Sequence, residues 1–148
     1  MEPQVYEWTC SVCSFTWVIN SLNDSSKQVP SITREEAAQV IGYPHCVNET
    51  YGCMSSQCLI DAFATFGLDA VEAHVTFDQA YAIMGAHTGT INPQGMYHFM
   101  ACRGLDGGNL WVANSAPGYR GVWDSLTRDA FNALGPVSII YLPKSAKG

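Results

Sequence analysis

Between Cys10 and Leu22 the apolar residues Val12, Phe15, Ile19 and Leu22 recur at the spacing of one helix face, which predicts a helix starting at Cys10. A second helix opens at Thr33-Arg34-Glu35-Glu36, where a hydroxyl and a carboxylate three residues on can satisfy terminal N–H groups reciprocally; it stops near Gly42 and Pro44. A third runs from about Ser56 to Phe66 on Leu59, Ile60, Phe63 and Phe66, with Gly67 as its C-terminal cap. Thr76-Phe77-Asp78-Gln79 repeats the capping pattern and opens a short helix ending at Gly85. The period then changes. Met96 to Arg103 and Leu110 to Ser115 read as two strands joined by the turn-rich Gly104-Leu105-Asp106-Gly107-Gly108-Asn109. A short helix is expected near Leu126 to Leu134, and Val137 to Leu142 is a last apolar strand. Helices fill the first half and strands the second, so the expected class is α+β.

The 148 residues suffice for one core, and 47% hydrophobic against 14% charged residues is the composition of a folded domain. A formal charge of −6, with seven scattered basic residues, excludes a nucleic-acid partner, which needs clustered Lys and Arg. Polar residues interrupt every apolar run before it reaches membrane-spanning length, so no membrane partner is expected. Met1-Glu2-Pro3-Gln4 lacks the basic segment and apolar core of a secretory signal. Synthesis in a cytoplasm follows, with the six cysteines expected to begin reduced. The polar end from Pro143 to Gly148 reads as frayed chain or linker, giving a domain over 1–143 and a flexible 144–148.

Cys10 stands at the expected helix start, where the helix dipole and unpaired N–H groups favour the thiolate, the reactive form of a nucleophile. A buried cysteine acting as a small hydrophobe is the bland alternative. Cys13 completes a Cys-x-x-Cys pair, but only nine residues precede Cys10, too few for the strand that feeds a redox dithiol. A zinc site drawing on Cys46, Cys53, Cys58, His45 and His74 stays open, although no second tight pair exists. Cys13, a turn beyond Cys10, is expected in the core.

Of the four histidines, His98 alone lies within an apolar strand, Met96-Tyr97-His98-Phe99-Met100. If the following hairpin has a loop of three or five residues centred on Asp106, His98 stands opposite Asn114 on the same face, with Cβ atoms about 5 Å apart. An amide carbonyl beside an imidazole N–H fixes its tautomer and orientation. A one-residue slip would put the two side chains on opposite faces. Gln4 could join the Cys10 N–H in donating to an oxyanion.

The set Gln4-x5-Cys10-x2-Cys13, Tyr97-His98-Phe99 and Trp111-Val112-Ala113-Asn114-Ser115-Ala116-Pro117-Gly118 resembles the papain-like cysteine peptidases, and within them the bacteriocin-leader-processing type. The likeness spans Gln4 to about Leu142, with Gly121-Val122-Trp123 and the stretch from Leu126 to Tyr141 similar to that type's closing helix and strand. Finer features, from Tyr6 to Cys13, Ile41-Gly42-Tyr43-Pro44 and Cys46 to Thr50, resemble the N-terminal peptidase domain of mycobacteriophage endolysins. Ser11 replaces a frequent Gly and Asn114 a frequent Asp. The resemblance implies a papain-like fold, with Cys10 on a helix N-terminus against an antiparallel sheet. It also implies cleavage of peptide bonds in host peptidoglycan, action at the bacterial wall, further endolysin domains and no cofactor. Cys10 is then the nucleophile, His98 the base and acid, Asn114 its orienting partner and Gln4 an oxyanion donor. A non-catalytic or zinc-stabilised binding module and a papain-like toxin acting on proteins are the competing readings.

Overall fold

The expected helices form, and local chemistry sets their ends. The computed structural model describes residues 10–26, 31–43, 45–48, 52–53, 55–93, 99–113 and 123–144. Helix α1 spans Cys10–Ser26, α2 Arg34–Ile41, α3 Ser56–Thr65, α4 Phe77–Met84 and α5 Arg128–Ala133. Reciprocal capping boxes at Thr33–Glu36 and Thr76–Gln79 open α2 and α4, Ser55 caps α3, and Thr127 caps α5. Gly42 closes α2 at φ 107, in the left-handed region open to glycine. The closing helix begins later than expected, because Leu126 ends a strand and Thr127 is the cap.

Strands β1 (Val47–Asn48) and β2 (Gly52–Cys53) form a small antiparallel pair. The remaining strands are β3 (Val71–Val75), β4 (Gly89–Pro93), β5 (Met100–Asp106), β6 (Asn109–Ala113), β7 (Trp123–Leu126) and β8 (Val137–Tyr141). They make one antiparallel sheet in the order β3-β8-β4-β5-β6-β7. β1, β2, β3, β4 and β7 were not expected from the sequence. Gly89 and Pro93 disguise β4, yet all five of its residues are buried. A Cβ at Gly89 would meet the Ile140 carbonyl oxygen at 2.1 Å, so only glycine allows β8 to lie this close.

Alternation divides the buried side chains between two cores. On one face Phe99, Ile140 and Leu142 pack with Phe15, Ile19 and Phe63 beneath α1, α2 and α3. On the other, Met100, Cys102, Leu110, Val112 and Ile139 pack with Phe77, Met84 and Phe131 of α4 and α5.

The β5–β6 hairpin differs from expectation. Its turn is the two-residue Gly107-Gly108, held from α4 by the Tyr81 hydroxyl, which donates to the Gly107 carbonyl at 2.8 Å. Cys102 pairs with Val112 and Leu105 with Leu110, so Arg103 and Gly104 together oppose Trp111 in a bulge, with Gly104 at φ 79. Ala101 therefore faces Ala113, not Trp111 as a loop centred on Asp106 requires. The shift is of two residues, which leaves every side chain on its own face.

Cys46 and Cys58 form a disulfide, with Cα atoms 5.8 Å apart, tying the chain after α2 to the first turn of α3. This corrects the expectation of reduced cysteines at these two positions. No helix of the described residues is long and apolar enough to cross a membrane.

Candidate active site

Helix α1 is the element that presents the candidate nucleophile. Cys10 is its first residue, as its sequence position predicted. The described structure covers the backbone of Cys10 and not its side chain, while Gln4, His98 and Asn114 lie outside the described residues. The expected pairing of His98 with Asn114 lies outside them too. What the fold shows is the placement of the segments that flank these residues.

Cys10, Ser14 and Trp17 occupy one face of α1, at i, i+4 and i+7. Ser14 is fully buried, and its hydroxyl donates to the Phe99 carbonyl at 3.1 Å. Phe99 follows His98 directly in the chain and is buried against α1. Trp17, half-buried, meets Trp123 of β7 edge-on, with ring centroids 4.8 Å apart, and Trp123 stacks on Trp111 of β6. The helix is thus fastened directly to Phe99, beside the expected histidine, and through Trp123 of β7 to β6, which leads to the expected asparagine. Ala101 opposite Ala113 brings those strand ends together, three residues after His98 and one before Asn114.

An open groove of about 620 Å³ runs along α1 from Cys13 past Thr16 and Trp17 to Asn20, with Ile32 to Glu35 as its other wall. That wall is held in place by Asn20, whose amide donates to the Ile32 carbonyl at 3.0 Å and accepts from the Ile32 N–H at 2.8 Å. On β4, beneath α1, Thr90 donates to the Asn92 side-chain oxygen at 3.1 Å. The Asn92 Nδ2 is buried and has no hydrogen-bond partner among the described residues.

The remaining cysteines sort by environment. Cys13 is a buried thiol, as its place one turn after Cys10 predicted. Burial pushes the Cys102 thiol up to about 12, opposed in part by a backbone hydrogen bond at Gly104, so it stays protonated and inert. The disulfide removes Cys46 and Cys58 from the ligands a zinc site could draw on. Among the described residues no three His, Cys, Asp or Glu side chains come together to hold a metal. Sequence reasoning missed the disulfide and the role of Ser14. The one signal for the latter was a small hydroxyl residue a single turn beyond Cys10 in an apolar stripe.

No family model matches the sequence, and no curated protein matches it. Solved structures do, thirteen chains in number. The chain is similar to the peptidase domain of Streptococcus ComA, a bi-functional ABC transporter of a quorum-sensing pathway, at 12% identity and a TM-score of 0.71, covering 97% of each chain. It is also similar to a double glycine motif protease from an AMS/PCAT transporter, solved with its leader peptide, at 14% identity and a TM-score of 0.65, covering 96% of this chain and 89% of the other. The helix headed by Cys10, seated on a six-stranded antiparallel sheet, is therefore the papain-like fold of these transporter peptidase domains.

Proposed function

We propose that the chain is a cysteine endopeptidase whose nucleophile is Cys10. One observation carries the reading: the papain-like fold extends over nearly the whole chain and its first helix begins at Cys10. His98 takes or holds the thiol proton, and the Cys10 sulfur attacks the scissile carbonyl. Gln4 and the Cys10 N–H stabilise the oxyanion. His98 then protonates the departing amine and activates water to hydrolyse the acyl-enzyme, while Asn114 orients the imidazole.

The reading places a demand on the backbone. Met100 and Val112 belong to the face beneath α4 and α5, so strict alternation would carry residues 98 and 114 away from α1. Catalysis requires the chain to leave that alternation on both strands. Phe99, which lies outside β5, supports such a departure on the strand that leads from His98.

The proposed substrate is peptidoglycan, with the chain acting at the bacterial wall as the catalytic domain of a phage endolysin. Support for this finer reading comes from the sequence motifs between Tyr6 and Thr50 alone; the solved neighbours are transporter domains and lend it nothing. A second reading, cleavage of a peptide after a double-glycine motif, is favoured by the neighbour described as a double glycine motif protease. Wild type and Cys10→Ala are incubated separately with purified mycobacterial peptidoglycan and with a double-glycine leader peptide, and fragments are read by mass spectrometry. New amine and carboxyl ends from peptidoglycan, with wild type only, support the endolysin reading; ends from the leader peptide alone transfer the assignment to the second. Normal hydrolysis by Cys10→Ala would sink the nucleophile.

A further inference from the structure

The hydroxyl of Ser14 is fully buried and spent on one carbonyl, that of Phe99, 85 residues away in sequence. Position 14 lies on the same face of α1 as position 10, one turn along. Phe99 is joined by a single peptide bond to His98. The bond therefore connects the helix that begins at Cys10 to the residue that follows His98 in the chain. A helix serves this purpose better than a loop, because its residues cannot move independently. The Phe99 carbonyl also lies beyond the β5 ladder, whose last pair on the β4 side is Ile91 with Met100. Where sheet pairing no longer holds the strand, Ser14 does.

Resting on the proposed peptidase reading, we infer that Ser14 is a positioning residue: it sets the separation of Cys10 and His98 through the Phe99 carbonyl. Reacting groups displaced by about 1 Å lose up to about a hundredfold in rate. Another hydroxyl makes a like bond to the same strand away from the site: Thr88 donates to the Cys102 carbonyl at 3.3 Å, also buried. It supplies the control for a merely structural role.

The test compares wild type, Ser14→Ala, Ser14→Cys and Thr88→Val. Each is measured for peptide hydrolysis, for alkylation of Cys10 against pH with the site located by mass spectrometry, and for thermal stability. The expected result for Ser14→Ala is a kcat lower by about 10- to 100-fold with KM little changed. Its alkylation profile shifts to higher pH, because a displaced imidazole no longer supports the thiolate. Ser14→Cys, close in size and a weaker donor, falls between; it carries the comparison if Ser14→Ala does not fold. Thr88→Val loses stability and keeps wild-type kcat and pH profile. Wild-type kcat and alkylation profile in both Ser14 variants overturn the inference and leave the peptidase intact. Equal losses in Thr88→Val overturn it as well. A wild type with neither turnover nor Cys10 alkylation overturns both the inference and the reading beneath it.

Discussion

Ala101 stands directly opposite Ala113, and both are fully buried on the sheet face away from Met100 and Val112. Alternation turns them toward α1, which packs against β5. Two methyl groups are all the bulk that the paired strands raise at this point, so the helix can sit close. Replacing Ala101 with Leu adds volume where none is free and should cost about 1–3 kcal/mol. Denaturant unfolding reads that loss. Because the added bulk pushes against the helix that bears Cys10, hydrolysis should fall further than the stability loss accounts for. An Ala101→Leu enzyme with native turnover would show that α1 does not depend on this close approach.

Thiol reactivity should separate the cysteines by environment. Limited alkylation of the native protein near neutral pH is expected to modify Cys10 and to spare Cys13 and Cys102, which are buried. Burial holds the Cys102 thiol protonated up to about 12, whereas an unfolded cysteine ionises near about 8.5. The unfolded chain thus loses this proton first, and the stability contributed by Cys102 declines as pH rises across that interval. Peptide mapping after timed iodoacetamide treatment checks the order; early modification of Cys102 would contradict it.

Removing the Cys46–Cys58 bridge should destabilise without abolishing the fold. The residues are 12 apart in sequence, and closing a loop of that size stabilises by about 2–3 kcal/mol. In a domain of this size that corresponds to about 5–10 °C in Tm. A Cys46→Ala/Cys58→Ala double variant should melt lower by that amount, and a reductant should lower wild type to match it. An unchanged Tm in both experiments would mean that the bridge contributes nothing.

Arg128 and Asp78 join α5 to α4 through a 2.6 Å contact at the surface, while the guanidinium also lies over the Phe77 ring at 4.6 Å. Hydrogen bonding and charge from Arg128 hold the Asp78 carboxyl below the usual carboxylate range. Its stabilising contribution is present above that range and disappears as pH falls through the lowered value. Both side chains are largely exposed, so salt should weaken the effect. In Arg128→Ala the Asp78 titration, followed by NMR, should move up toward an ordinary carboxylate; an unmoved curve refutes the pairing in solution.

The helices were legible because their signals are local. Thr33 with Glu36 and Thr76 with Gln79 announce helix starts within four residues, and the structure uses both pairs as read. Strand β4 was not legible, because glycine and proline at its ends are ordinarily breakers. Gly89 is there for the backbone of β8, which no local pattern reveals. The hairpin register failed for a related reason: the turn falls on Gly107-Gly108 and not around Asp106, a shift of three, and the extra residue at Arg103-Gly104 takes one back, which only the completed ladder exposes. At the site, the sequence located Cys10 at the head of its helix and Cys13 in the core. It could not reveal that Ser14 fastens to Phe99, because nothing in either residue names a partner so far along the chain. Nor could it reveal the pairing of Cys46 with Cys58, since reasoning from compartment pointed to thiols.

Trp17, Trp111 and Trp123 make up three of the chain's four tryptophans and lie in one cluster where α1 meets β6 and β7. Indole emission is sensitive to its surroundings, so the protein carries its own optical gauge of how that helix is seated. Light collected while peptides or thiol reagents are added would report movement of the helix that begins at Cys10 with no label attached.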